Sequence, residues 1–223
     1  MLAVPEDQRK RVLTPFSTRL CIIRHGETAW NAEGRVQGQL DVPLNDAGAL
    51  QARCVAAALP QGRFSALYSS DLGRVRQTAA PAAARLGLEP RLDARLRERH
   101  YGVFQSLTYA ECKTRLAADY ARFAAKDPDY DFQTGESLRS FFSRSLQCLS
   151  EIAEKHAGEE VLVFTHGGVL EMAYRDATGI GLSSPRDFEI PNAAINWLEY
   201  PPLKVLAWAD CDHLSATLDD LKE

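Results

Sequence analysis

The sequence is poor in the features that mark secreted, membrane-bound or nucleic-acid-binding proteins. Its five cysteines, Cys21, Cys54, Cys112, Cys148 and Cys211, are odd in number, widely scattered and never in Cys-x-x-Cys spacing, so neither a disulfide framework nor a cysteine-based zinc or redox motif is indicated. No window approaches the roughly 18 consecutive apolar residues of a membrane span. Pro5, Glu6, Asp7, Arg9, Lys10 and Arg11 interrupt the first residues before an apolar core of signal-peptide length can form. Positive charge is not in excess: 26 Lys and Arg stand against 30 Asp and Glu, a net −4, which disfavours a nucleic-acid surface and requires any anion site to be local. A Gly-x-x-x-x-Gly-Lys-Ser/Thr loop is missing, so no nucleotide P-loop is supported. The expectation is a reduced, soluble, cytoplasmic protein with neither nucleic-acid nor membrane partners.

What is present suits one α/β domain. The chain has 223 residues, 45% of them apolar, enough for one substantial core. Residues 1–17, polar and proline-punctuated, read as an N-terminal extension, and 18–223 as a single domain. Leu20–Ile23, Phe64–Ser70 and Val161–Phe164 are buried-strand patterns. Helical patterns run over Ala49–Leu59, capped by Asn45 or Asp46, over Arg74–Leu86, which Pro81 is expected to kink or break, over Leu107–Ala125, and from Thr134 or Gly135 to Lys155. A closing hairpin is expected around Pro201 and Pro202. The charged run Leu92–Gly102 resists placement and reads most simply as a solvated face. Strands alternating with helices predict a three-layer sandwich, a mainly parallel central sheet with helices on both faces.

Two strand ends carry the chemistry. Leu20–Ile23 stops at Arg24-His25-Gly26, and Val161–Phe164 stops at Thr165-His166-Gly167-Gly168. In open α/β sheets ligands bind at the carboxyl ends of strands. A neutral imidazole can attack phosphorus while an adjacent guanidinium holds the non-bridging oxygens, and Gly26 would let the backbone approach a phosphate. Arg24, Arg74 and a protonated His166 would offset the charge of a phosphate monoester, with His25 neutral for attack. A metal centre is the competing use of histidines, but Arg24 beside His25 opposes a dication, so no metal and no cofactor are expected.

Arg24-His25-Gly26-Glu27-Thr28 with Asn31, Arg74 after Tyr68-Ser69-Ser70-Asp71-Leu72, the string Leu96-Arg97-Glu98-Arg99-His100-Tyr101-Gly102, and Thr165-His166-Gly167 follow one another in an order that resembles the histidine phosphatase superfamily, phosphoglycerate mutase-like branch. The resemblance implies that His25 becomes phosphohistidine. It implies a phosphate pocket of Arg24, Arg74 and His166 assisted by Asn31, and Glu98 as proton donor to the leaving alcohol and then base for water. Gln37, Gly38, Tyr101 and Gly167 are candidates for the substrate entrance, with a purely structural role as the alternative.

The same pocket serves hydrolysis or phosphate transfer within a bound glycerate. Glu98-Arg99-His100-Tyr101-Gly102 is similar to cofactor-dependent phosphoglycerate mutases. Tyr109 stands where those carry a lysine, no paired arginines occur between Tyr120 and Phe132, and Gly135-Glu136-Ser137 with Thr165-His166-Gly167-Gly168 look more like the small phosphatases. The resemblance therefore favours hydrolysis of small-molecule phosphate monoesters, with the mutase second and a non-catalytic phospholigand-binding protein third. The closing strands bearing Trp197 and Trp208 offer an edge through which a homodimer could pair.

Overall fold

The computed structural model describes residues 17–215. The expected extension, apart from Ser17, lies outside the described residues. Strand β1 (Thr18–Arg24) is buried along almost its whole length and its side chains alternate between two cores. Leu20 and Ile22 join one cluster, Cys21 and Ile23 the other. The same period of two runs through β2 (Ala66–Ser69) and β4 (Glu160–Thr165): Tyr68 and Val163 face the first core, Leu67 and Phe164 the second. Strands buried on both faces need helices on both faces. Full burial of each Ile, Leu or Phe contributes about 1.5–3 kcal/mol.

Helices α2 (Asp46–Ala58) and α3 (Gly73–Leu86) cover the second face through Val55, Leu59, Val75, Ala79 and Ala82. The first face is covered by α6 (Leu138–Lys155) and α7 (Gly167–Thr178), through Phe141, Leu149, Ile152, Val169 and Met172. This is the three-layer sandwich the sequence predicts. The six strands include β3 (Pro90–Leu92), β5 (Ile195–Tyr200) and β6 (Lys204–Asp210), in the order β3-β2-β4-β1-β5-β6. Neighbours β3, β2, β4 and β1 are parallel, and β5 is antiparallel to β1 and β6. Because β4 inserts between β1 and β2, the chain leaves β1 toward one face and β4 toward the other, which opens a crevice at their carboxyl ends.

Several boundaries differ from expectation. Helix α3 runs unbroken through Pro81; the packing of Val75, Ala79 and Ala82 on the sheet holds it where propensity alone opposes it. The Leu107–Ala125 segment is two short helices, α4 (Tyr109–Arg115) and α5 (Ala117–Ala124), parted at Leu116. Helix α6 begins at Leu138, after the Ser137 side chain caps Ser140, because Phe132 and Gln133 adopt positive φ just before it. A four-residue helix α1 (Ala29–Ala32) follows the His25 loop. Residues of 101–132 form a small third core, with Val36, Phe104, Cys112, Tyr130 and Phe132 buried together, and so make a cap. Among the described residues no helix is long and apolar enough to cross a membrane.

Candidate active site

The carboxyl ends of β1, β2 and β4 place Arg24, His25, Ser70 and His166 together. His25 is only 3% exposed, its backbone N–H donating to the Thr165 carbonyl. The Nδ1–H of His25 donates to the carbonyl of Gly26 at 2.7 Å, since a carbonyl can only accept. That bond leaves the Nε2 lone pair free. Burial, with the charges of Arg24 and Arg74, holds the His25 imidazole well below its ordinary titration range. The nucleophile candidate is thus neutral and in one tautomer.

His166 lies edge-on to His25, the ring centroids 5.2 Å apart. An Nη2–H of Arg74 donates to Nδ1 at 3.2 Å, so Nε2–H donates to Ser70 Oγ at 3.0 Å. Burial, followed by the charge of Arg74, depresses this histidine too. The expectation of a charged His166 is corrected accordingly: facing a fixed guanidinium in a dry site, it is neutral, and only an adjacent anion would favour its protonation. Both histidines sit below the unfolded-chain value near 6.5, so below that pH the unfolded chain binds more protons than the folded one. Stability should therefore fall as pH drops through about 6.5, at up to roughly 1.4 kcal/mol per pH unit for each histidine, until the folded groups titrate. Urea midpoints at pH 7.5, 6.5 and 5.5 check this, and a flat profile contradicts it.

Arg74 is 1% exposed. It donates to the carbonyls of Leu40 and Gly38, each at 2.7 Å, which ties the loop carrying Gln37 and Gly38 to the site. Arg24 Nη1 donates to the Ile190 carbonyl. The Nε atoms of Arg24 and Arg74, and Oε1 of Gln37, are buried with no partner among the described residues. Orphaned buried guanidinium donors call for an acceptor, and phosphate oxygens supply one. Burial lowers both arginines, Arg74 to about 10, so both stay charged at neutral pH. Asn31 accepts through Oδ1 from the backbone and hydroxyl of Thr28 and, at 3.4 Å, from Asn192 Nδ2–H.

Gly26 serves a purpose beyond the one expected. A Cβ there would meet the Gly48 carbonyl oxygen at 2.6 Å, so the missing side chain lets the His25 loop press on α2. Gly26 N–H donates to Thr78 Oγ, which donates to the Arg74 carbonyl. On the other side Asn192 Nδ2–H donates to the His25 carbonyl at 2.9 Å. Thr78 and Asn192 carry no local signal that identifies them.

The charged run is likewise not a solvated face. Arg97 clasps Asp71, Arg99 is buried and donates to the carbonyls of Glu136 and Tyr130, and Glu98 points into the site. Its Oε1 accepts from Arg99 N–H at 2.8 Å and its Oε2 from Gly168 N–H at 3.0 Å. Arg144, paired with Glu136, braces the carbonyls of Arg95, Arg97 and Glu98. Tyr101 is half-buried and its phenol pushed well up, by desolvation first and by Glu98 second. A Cβ on Gly167 would lie 3.3 Å from Arg24 Nε, so that glycine gives the arginine its room. Gly168, the second glycine of the pair, is the more telling position: a Cβ there would collide with Glu98 Oε1. Gly168→Ala should displace the carboxylate and slow turnover of alkyl phosphates roughly 10²-fold while the protein still folds; unchanged turnover would separate Gly168 from Glu98.

Among the described residues no group of three or more His, Cys, Asp or Glu is arranged to hold a metal ion. Residues 20–208 match the model of the histidine phosphatase superfamily (branch 1). The chain is 40% identical over 204 residues to phosphoglycerate mutase-like protein 4 of Arabidopsis thaliana, covering 89% of this chain and 87% of that one. It is 36% identical to the metal-independent phosphoserine phosphatase of the same plant, covering 89% and 84%. Its fold superposes on a mycobacterial glucosyl-3-phosphoglycerate phosphatase solved with VO3, with a TM-score of 0.75, 30% identity and coverage of 86% and 98%.

Proposed function

The chain belongs to the histidine phosphatase superfamily, and we propose that it hydrolyses small-molecule phosphate monoesters through a phosphohistidine on His25. The observation that carries this reading is the Nδ1–H bond of His25 to its neighbour's carbonyl, which leaves Nε2 as a buried, neutral nucleophile between two charged arginines. Nε2 attacks phosphorus, the phosphorus–oxygen ester bond breaks, and the leaving alcohol takes a proton from Glu98. Water then attacks the phosphohistidine, Glu98 takes its proton, and inorganic phosphate leaves. Arg24, Arg74, His166 and Asn31 hold the non-bridging oxygens throughout, where fixed donors in a dry site are worth most.

Phosphatase names among the relatives support hydrolysis, and the mutase-like name keeps transfer as the second reading. The reaction needs no metal in this scheme. The fold from residue 18 onward acts as one catalytic domain behind the N-terminal extension. Free thiols, four of them buried, suit work in the cytoplasm. A homodimer would pair along the outer edge of β6, since Trp197 packs on Phe64 and Trp208 on Tyr174 within one chain.

The test is phosphate release from a panel of monoesters, 3-phosphoglycerate among them, in the presence of a chelator. Release supports the phosphatase. Interconversion of 3- and 2-phosphoglycerate with a bisphosphoglycerate primer, without release, would replace it by the mutase, and binding without either reaction by a phospholigand-binding protein.

A further inference from the structure

A cavity of about 440 Å³ is lined by Arg99 and Gly168, the two residues whose backbone N–H groups hold the Glu98 carboxylate. None of Arg24, His25, Arg74 or His166 lines it; it meets the site at Gly168, whose N–H holds the Glu98 carboxylate. Since Glu98 protonates the ester oxygen in the proposed reaction, what lies beyond Glu98 is where the rest of the alcohol must go. At that volume the cavity falls in the range of pockets that take drug-sized ligands, larger than serine or glycerate.

The walls are aromatic. Tyr109 and Phe123 lie parallel, centroids 5.8 Å apart, and Tyr101 meets Phe132 edge-on at 5.2 Å. Tyr109 is 46% exposed, an apolar face of the cap with room for a ring against it. The charges are unevenly satisfied. Asp127 is clasped by Arg122, and Glu171 by Arg175, and neither of those arginines lines the cavity. Lys126 donates one hydrogen to the Ser184 carbonyl at 2.7 Å, which leaves two. Arg186 is half-exposed and approaches Glu171 only at 3.5 Å. It lines the cavity beside Lys126 and Tyr109, and its charge also reaches Arg24 in the phosphate pocket. The unneutralised charge of the cavity is therefore positive.

We propose that the cavity receives a bulky, ring-bearing alcohol that carries a carboxylate, the ring packed against Tyr109 and Phe123 and the carboxylate held by Lys126 and Arg186. This deepens the hydrolytic function proposed above and rests on it. Lys126 sits at positive φ, which asparagine tolerates well, so Lys126→Asn with Arg186→Gln removes both charges with little backbone cost.

The test compares kcat/KM for 3-carboxyphenyl phosphate and phenyl phosphate, whose phenols are leaving groups of similar quality. The unsubstituted enzyme should prefer the carboxylated ester by about 10-fold or more, as two charge-assisted contacts allow. In the double variant that ratio should collapse to within about threefold of one, and Arg186→Lys should retain part of it. Release from both esters with a ratio near one, or a ratio the double variant does not move, overturns this inference alone. Release from neither ester, with release from other members of the monoester panel, overturns this inference alone; release from no monoester at all overturns the hydrolytic function and this inference with it.

Discussion

Replacing His25 by alanine is expected to lower kcat for phosphate release by on the order of 10⁴-fold or more, as loss of a covalent nucleophile does elsewhere. The fold should survive. The His25 backbone N–H still donates to Thr165, and Gly26 N–H still donates to Thr78. The lost side chain makes one bond, to the Gly26 carbonyl, worth about 1 kcal/mol. The anion pocket also survives, because Arg24, Arg74 and His166 take their positions from Ile190, Gly38, Leu40 and Ser70. Inorganic phosphate should therefore still bind the variant and protect it against heat. Rapid acid-free quenching of the unsubstituted protein should trap a phosphoenzyme that is labile to acid, as a phosphoramidate is, and the variant should yield none. Undiminished release by the variant would remove His25 from the nucleophile role and leave the pocket to direct attack by water.

How far the sequence foretells this site depends on how local each cause is. Leu20–Ile23 and Val161–Phe164 are legible because strands buried on both faces are apolar at every position, and the two histidines follow within two residues of those strands. The Asn45 cap is legible for the same reason, its side chain reaching only to Gly48. The charged run 92–102 is not, because what buries Arg99 and aims Glu98 comes from Tyr130, Glu136, Arg144 and Gly168, between 30 and 70 residues further on. Only the resemblance to a known family pointed to Glu98. The steric demand at Gly26 is hidden on the same ground: the atom that forbids its Cβ belongs to Gly48 on the next helix. The expected charge on His166 failed because Arg74, from α3, presents a donor to its ring, a contact that no spacing along the chain reveals. The signal that could have found Gly168 was present in the Gly167-Gly168 pair, where one glycine suffices for the turn and the second needs another reason.

Glu98→Gln should slow alkyl phosphates such as O-phosphoserine by about 10²–10⁴-fold, while the first step with p-nitrophenyl phosphate falls by less than about 10-fold. An alkoxide leaves poorly without a proton, and nitrophenolate leaves well without one. The two oxygens of Glu98 each accept a backbone N–H, from Arg99 and from Gly168. A protonated carboxyl keeps both bonds, since its hydroxyl oxygen still accepts, whereas the glutamine NH2 meets one N–H head-on and loses that bond. The steady state hides part of the contrast, because in the proposed reaction Glu98 also serves as base for the water that attacks phosphohistidine. The variant should therefore release nitrophenol in a burst near one equivalent of enzyme and then turn over slowly, and single-turnover phosphorylation rates separate the two steps. Gly168→Ala acts through the same carboxylate, so Glu98→Gln combined with Gly168→Ala should be little slower than Glu98→Gln alone. Equal loss of the phosphorylation step on alkyl and nitrophenyl esters would take the acid role from Glu98 and leave it as a structural acceptor for the start of α7.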